Sequence, residues 1–325
     1  MQRRIVTITV NPALDVASMV PALVPERKLR CDEPVREPGG GGINVARAVH
    51  ALGGSVTACL PAGGSTGDLL VSLLQAEGID LRVVRIREWI RENLHITERA
   101  TGRQYRFCMP GPRLPEREWR DLLDEAASLE PELAVLSGSL AAGMPVDFYA
   151  RAAAVLRSCG ARVVIDTSGE ALASCAGTGI YLIKASLDEL ATLAGVTELE
   201  LPHVPELARR VVLHGACEVL VVSLGGGGAI WTTQAEQERL IGPAVPVRST
   251  VGAGDAMVGG IVVSLARGDR IGDAMRLGVA AGTATVMRPG TALCRREDVE
   301  ALVHQVDRAD AQPLRDAAAC AREFR

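Results

Sequence analysis

The sequence predicts an α/β fold: a mostly parallel central sheet covered by helices on both faces, with a second, small β layer beside it. Three observations predict it. Apolar runs of strand length alternate with stretches of helical period along most of the chain. The runs, Val219-Leu220-Val221-Val222 above all, are continuously apolar, as in strands buried on both faces. Two segments, about 13–38 and 88–111, break the alternation. They read as one layer that covers a site or as two separate surface excursions.

Residues 5–10 alternate Ile, Val and Thr and form a first strand, stopped by Asn11-Pro12. Residues 16–37, interrupted by Pro21, Pro25 and Pro34, are expected to be irregular. Gly39 to Gly42 open a helix over 43–52, with Ile43, Ala46 and Val49 on its apolar face. A strand over 55–60, a helix over 67–77 and a strand over 79–86 follow. Residues 94–98 and 104–109 make a hairpin across Ala100-Thr101-Gly102-Arg103. Further strands are expected at 133–137, 162–166, 181–184 and 218–223, and helices at 115–129, 146–159, 186–194, 204–214, 254–266, 271–287 and 297–306. The expected division is an α/β body of 1–12, 39–87 and 112–306, a β lid of 13–38 and 88–111, and a helical, Ala- and charge-rich tail of 307–325.

The 325 residues are 48% hydrophobic and 23% charged with a net charge of -4, which suits a sizeable core and gives no sign of nucleic-acid or membrane partners. The cysteines are scattered without a Cys-x-x-Cys pair, as expected of core residues in a reducing cytoplasm. The basic start is followed by too few apolar residues for a secretion signal, and no run approaches membrane length.

The chemistry concentrates in Ser249-Thr250-Val251-Gly252-Ala253-Gly254-Asp255. Apolar residues at helical period follow, so the glycines fall where a turn enters a helix. Free N–H groups and the helix dipole there suit an oxyanion or phosphate, and Gly252 and Gly254 let the backbone come close to it. Asp255 in the same turn is placed to take a proton from a hydroxyl. An anion cradle beside a carboxylate base is what phosphoryl transfer to an alcohol requires. Taken alone, the same residues also read as a turn and a helix-stabilising acid. Gly39 to Gly42 with Asn44 are either a grip on sugar hydroxyls or a loop of unusual dihedral angles. Asp15 suits two vicinal hydroxyls or a turn cap. Ser223-Leu224-Gly225-Gly226-Gly227-Gly228 suits nucleotide phosphates or a hairpin turn. The P-loop, dinucleotide and protein-kinase motifs are absent.

The order Asn11-Pro12-Ala13-x-Asp15, Gly39-Gly40-x-Gly42-x-Asn44-x-Ala46, Ser137-Gly138-Ser139 and Val251-Gly252-Ala253-Gly254-Asp255 resembles the ribokinase (PfkB) carbohydrate kinase family, from about residue 3 to 305. Pro25-Glu26-x-Lys28-Leu29-Arg30-Cys31, Glu37-Pro38-Gly39-Gly40-Gly41-Gly42, Gln104-Tyr105-Arg106-Phe107 and Ser168-Gly169-Glu170-Ala171-Leu172 are most similar to its bacterial 6-phosphofructokinase branch. The 1-phosphofructokinase and tagatose-6-phosphate kinase branches usually carry Lys at the position of Gly41.

This resemblance implies a ribokinase-like three-layer sandwich with a small β-sheet lid and a homodimer clasped through the lids. It implies ATP as donor, Mg²⁺ on the phosphates, commonly K⁺, and transfer to the C1 hydroxyl of fructose 6-phosphate. By position it makes Asp255 the base and Gly252, Ala253 and Gly254 the anion hole. Asp15, Gly40, Gly41, Asn44 and Ser139 would hold the sugar, and Lys28, Arg30, Arg91 and Arg106 its phosphate. Lys184, Ser186, Ser223, Leu224, Gly225, Gly226, Gly227 and Gly228 would face ATP. Glu189 would act on Mg²⁺ through water, and Ser249, Val251, Arg288, Gly290 and Ala292 would offer oxygens to K⁺. One departure stands out: Ser186-Leu187-Asp188-Glu189 replaces the usual Asn-x-x-Glu. Ser-x-x-Glu is also a capping box, which fits Ser186 fully and leaves Glu189 open between the two roles. A sugar-phosphate-binding protein without turnover is the rival reading outside the class.

Overall fold

A computed structural model describes residues 3–309. The chain runs β1 (Ile5–Ile8), β2 (Ala13–Val20), β3 (Val35–Gly39), α1 (Gly41–Ala51), β4 (Val56–Ala62), α2 (Gly64–Ala76), β5 (Asp80–Arg85), β6 (Arg91–Glu98) and β7 (Gln104–Phe107). It continues through α3 (Glu116–Ser128), β8 (Leu133–Ser137), α4 (Phe148–Ser158), β9 (Arg162–Asp166), α5 (Gly169–Ala173), β10 (Ile180–Ala185), α6 (Leu187–Ala194), α7 (Val204–Leu213) and β11 (Cys217–Ser223). Last come β12 (Ala229–Thr232), β13 (Gln237–Ile241), α8 (Ala253–Arg267), α9 (Ile271–Val286), α10 (Arg296–Val303) and β14 (Asp307–Ala309).

The large sheet has ten strands in the order β14-β13-β12-β11-β10-β9-β8-β1-β4-β5. From β11 to β5 every pairing is parallel; β12, β13 and β14 join antiparallel. Strand alternation sorts side chains to two faces. Ile5 belongs to a core built with α1, α2, α8, α9 and α10; Val6 and Ile8 belong to a second core built with α3, α4, α6 and α7. This is the expected three-layer sandwich. Helix α8 departs from a one-sided apolar stripe, since every residue from Ala256 to Ala266 is buried. It is wedged between α1 and α9, and glycines allow the approach: a Cβ on Gly259 would sit 2.7 Å from the Ala48 methyl, and one on Gly260 2.8 Å from the Leu277 carbonyl oxygen.

After β1 the chain fills one side with β4 and β5, then crosses to the other side of β1 with β8. The crevice beyond the carboxyl ends of β1 and β8 is therefore a topological switch point, where ligands bind in open α/β sheets. Over it lies a separate four-stranded sheet in the order β3-β2-β6-β7, with β2 and β6 parallel and both outer pairings antiparallel.

Two expectations need correction. Residues 16–37 are not irregular throughout, because Ala13–Val20 and Val35–Gly39 are strands. Pro38 fits because β3 is an edge strand that needs no donor on its open side. The turn after β11 is the hairpin turn that the sequence offered as one of two readings, and its strands β12 and β13 extend the sheet. Asp307–Ala309, expected to open a helical tail, is instead the terminal strand, paired with β13. The rest of that tail lies outside the described residues.

Candidate active site

Gly252 caps α8 with φ 74, a left-handed conformation that glycine alone adopts without strain. The next turn presents amides that have no partner inside the helix. Asp255, partly buried in this turn, accepts a hydrogen bond of 2.9 Å from Asn44 Nδ2 on α1. Lys184, at the end of β10, holds Asp166 Oδ1 at 3.1 Å. Its ammonium also abuts the cradle, since a Cβ on Gly254 would lie 3.0 Å from Lys184 Nζ. Removal from water pushes the Asp255 carboxyl up to about 7; Asp166 and Asp15 add to the rise, and the Asn44 bond and Lys184 oppose it. Burial alone would lower the Lys184 pKa, but Asp166, Glu189 and Asp255 outweigh it and the ammonium is held above its ordinary value. The site thus joins a carboxylate of raised basicity to a fixed cation and an anion cradle.

The lid supplies a second carboxylate. Asp15 on β2 is buried, accepts 2.9 Å from Asn93 Nδ2 on β6, and lies so close over Gly39 that a Cβ there would come within 2.3 Å of its Oδ2. Asn11, just after β1, donates to Ser139 Oγ at 3.0 Å and to the Leu140 carbonyl at 3.2 Å. Arg91 reaches the Asn11 carbonyl at 3.1 Å; burial lowers its pKa, partly offset by Asp15. Gly40, φ 112, caps α1. A Cβ on Gly41 would stand 2.3 Å from Ser137 Oγ and 2.8 Å from the Gly138 nitrogen, so this backbone admits no side chain there. Asp15, Gly40, Gly41, Asn44, Arg91 and Ser139 are brought to one end of the site, with Asp255 between them and Lys184.

On the other side, Ser186 and Glu189 form the capping box of α6: Ser186 N donates to Glu189 Oε2 at 2.6 Å, and Glu189 N donates to Ser186 Oγ at 3.3 Å. Ser223 Oγ donates to the Ala185 carbonyl, and Leu224 to Gly228 form the tight turn from β11 to β12. Gly228, φ 86, has a structural cause, because a Cβ would strike the Leu240 carbonyl oxygen at 1.9 Å. Residues 248–249 are tied to the end of α9, with Arg248 N and Ser249 N both donating to the Val286 carbonyl. A Cβ on Gly252 would meet the Leu293 side chain at 2.6 Å, which sets Val251 beside the turn that carries Arg288, Gly290 and Ala292. Arg106 on β7 reaches across to Thr250 Oγ1 at 2.7 Å. Lys28 and Arg30 are exposed in the loop between β2 and β3 and are not brought to the site.

Asp166 was not singled out from sequence, although it ends an apolar strand on the side where parallel sheets bind ligands. Asn93 and Asn11 were missed as well: Asn93 meets Asp15 only through the lid's register, and Asn11 meets Ser139 and Leu140 in the turn after β8. Among the described residues no three of His, Cys, Asp or Glu converge to hold an ion. Asp166 and Glu189 are the acids nearest the Lys184 ammonium.

A sandwich with an amide cradle, an adjacent basic carboxylate and a covering sheet defines a small-molecule phosphotransferase. The chain belongs to the pfkB family of carbohydrate kinases, whose family profile matches residues 8–298. It is 44% identical over 299 residues to ATP-dependent 6-phosphofructokinase isozyme 2 of Mycobacterium tuberculosis, covering 91% of this chain and 88% of that one. It is 41% identical to the protein of the same name from Escherichia coli, covering 94% and 99%. The solved structure of the Escherichia coli phosphofructokinase-2 with potassium superposes with a TM-score of 0.89 at 42% identity, over 93% of this chain and 99% of that chain. That enzyme is also solved with its substrates and products, and in a tetrameric inhibited form. A 1-phosphofructokinase of Rhodobacter capsulatus is 32% identical over 94% of this chain and 98% of its own length. No helix among the described residues is long and apolar enough to cross a membrane.

Proposed function

We propose that this chain is an ATP-dependent 6-phosphofructokinase that converts fructose 6-phosphate to fructose 1,6-bisphosphate. The observation that carries the reading is the juxtaposition of Asp255, held by Asn44, with the α8 cradle on one side and the Asp15 and Arg91 end on the other. Asp255 takes the C1 hydroxyl proton as the oxygen attacks the γ-phosphorus; the bond to the β–γ bridging oxygen breaks and ADP leaves. The amides of the α8 turn and Lys184 meet the charge on the transferring group. Asn44 fixes which lone pair of Asp255 faces the hydroxyl. Asp15 binds sugar hydroxyls, Ser139 and the Gly40 and Gly41 backbone close the sugar pocket, and Arg91 faces the 6-phosphate. Mg²⁺, when bound, supplies charge neutralisation on the phosphates.

The relatives at 41–44% identity support 6-phosphofructokinase over 1-phosphofructokinase. So does Gly41, since a lysine there would need the Cβ that Ser137 excludes. The potassium complex of the Escherichia coli enzyme supports reading the 249–251 and 288–292 turns as a K⁺ site. Association of this chain through its lid, as a dimer, is part of the same reading. The test is ADP release with Mg²⁺ATP across fructose 6-phosphate, fructose 1-phosphate and tagatose 6-phosphate. We expect kcat/KM for fructose 6-phosphate to lead; a lead by fructose 1-phosphate, or sugar binding without ADP release, overturns the assignment.

A further inference from the structure

His95 on β6 is buried to 5% exposure, and neither ring nitrogen makes a hydrogen bond. An imidazole always carries at least one N–H, and a buried donor left unpaired costs about 1–3 kcal/mol. A residue kept there at that cost needs a reason. Its register supplies one. Asn93 and His95 lie two apart on β6, so their side chains share a face, and they pair with Asp15 and Ala17 of β2. His95 Nε2 stands 3.5 Å from Asp15 Oδ1, the oxygen that already accepts from Asn93. The carboxylate's other oxygen is free of both.

We propose that His95 is a positioning residue for sugar recognition: Nε2–H and Asn93 together fix Oδ1 of Asp15, so that Oδ2 is presented to the sugar hydroxyls. This rests on the reading of Asp15 as a sugar ligand. The 3.5 Å separation is longer than a hydrogen bond, and a small shift of Asp15 toward His95 would close it. Closure on Oδ1 would satisfy the orphaned donor only when the sugar fixes Asp15, which makes the gain a term in sugar affinity.

The variants are His95→Leu, which removes both donors, His95→Gln, whose amide nitrogen falls near the position of Nε2, and His95→Asn, whose amide falls nearer Nδ1. Calorimetric binding of fructose 6-phosphate without nucleotide is measured beside KM for each substrate and kcat. We expect His95→Leu to weaken sugar binding and raise its KM about five- to tenfold, with KM for ATP and kcat within about twofold. His95→Gln should recover most of the loss and His95→Asn little of it. Unchanged sugar affinity in His95→Leu overturns the proposal, and so do equal losses in both substrates or identical behaviour of Gln and Asn. If the leucine variant does not fold, the Gln and Asn pair decides alone. A wild-type protein that binds no sugar phosphate would instead overturn the function on which the proposal rests.

Discussion

Asp255 is asked to ionise in a place that resists ionisation, out of bulk water and beside Asp166, and its carboxyl is accordingly pushed up to about 7. The base acts only when deprotonated. The kcat/KM for fructose 6-phosphate should therefore rise with pH up to about 7, level off above it, and lose its activity below. A profile flat between about pH 5.5 and 8 would contradict this. The same shift has a stability consequence of definite sign. Between about 4, where an unfolded Asp titrates, and about 7, the folded state holds a proton that the unfolded state has lost. Stability should fall as pH rises across that window, and Asp255→Asn should abolish that part of the dependence in thermal unfolding. Asp255→Asn should also lower kcat by about 10²–10⁴-fold with sugar binding little changed. Retention of half the wild-type turnover would remove Asp255 from the role of base. Asp255, Gly252 and Asn44 were legible as candidates because glycine turns open two apolar helices, although each turn alone also reads as plain structure; their meeting in space shows only in the fold. Asp166, Asn93 and His95 were not, because their partners Lys184 and Asp15 lie on other strands, and only strand register reveals such pairs.

Between strand and helix, the Ser186 position separates metal handling from capping. Both halves of the capping box are formed, and Glu189 spends an oxygen on Ser186 N. Ser186→Ala should then cost about 1 kcal/mol in unfolding free energy with little change in the Mg²⁺ concentration for half-maximal rate. Ser186→Asn keeps a comparable cap and should leave stability within a few tenths of a kcal/mol. If it also lowers the Mg²⁺ requirement, position 186 contributes to the metal; if not, Ser186 is a cap alone. The longer elements were readable where period and burial agree: β8 and β9 fall at their expected bounds because both faces are covered. Two of the missed strands share a cause. In β13, Gln237-Glu238-Arg239 sits near the sheet margin, and β3 combines Arg36, Glu37 and Pro38 on an edge. Such strands are specified by a neighbour's open hydrogen bonds more than by their own apolar pattern.

At the scale of the whole molecule, the lid is tied to the body where its inner face meets the site: Thr291 donates to Glu37, Arg106 to Thr250, and Arg91 to Asn11. Its outer face is different. Leu94 lies opposite Phe107 and Ile96 opposite Tyr105, a patch of partly covered apolar side chains with Phe107 45% exposed. Such a face on a sheet suits burial against a second copy. The same geometry bears on Lys28 and Arg30. Asp15 and Val20 are five steps apart on β2, about 17 Å at strand rise, and the cationic loop begins beyond Val20. If Lys28 binds the sugar phosphate, that separation favours the site of a partner subunit over its own. Subunit mixing tests this directly. Lys28→Ala should raise KM for fructose 6-phosphate sharply, and Asp255→Asn should be nearly inactive. Mixed and allowed to exchange, they form hybrids in which the intact base of one subunit meets the intact lysine of the other. At random exchange about a quarter of wild-type activity at low sugar should return, since half the dimers are hybrids and each has one complete site. A lysine that serves its own subunit cannot complement in this way, because each site of the hybrid lacks one of the two groups. Co-purification through a tag on one parent shows whether hybrids form, and hybrids without restored activity place Lys28 outside the partner's site; sedimentation showing a monomer at working concentration removes the lid interface altogether.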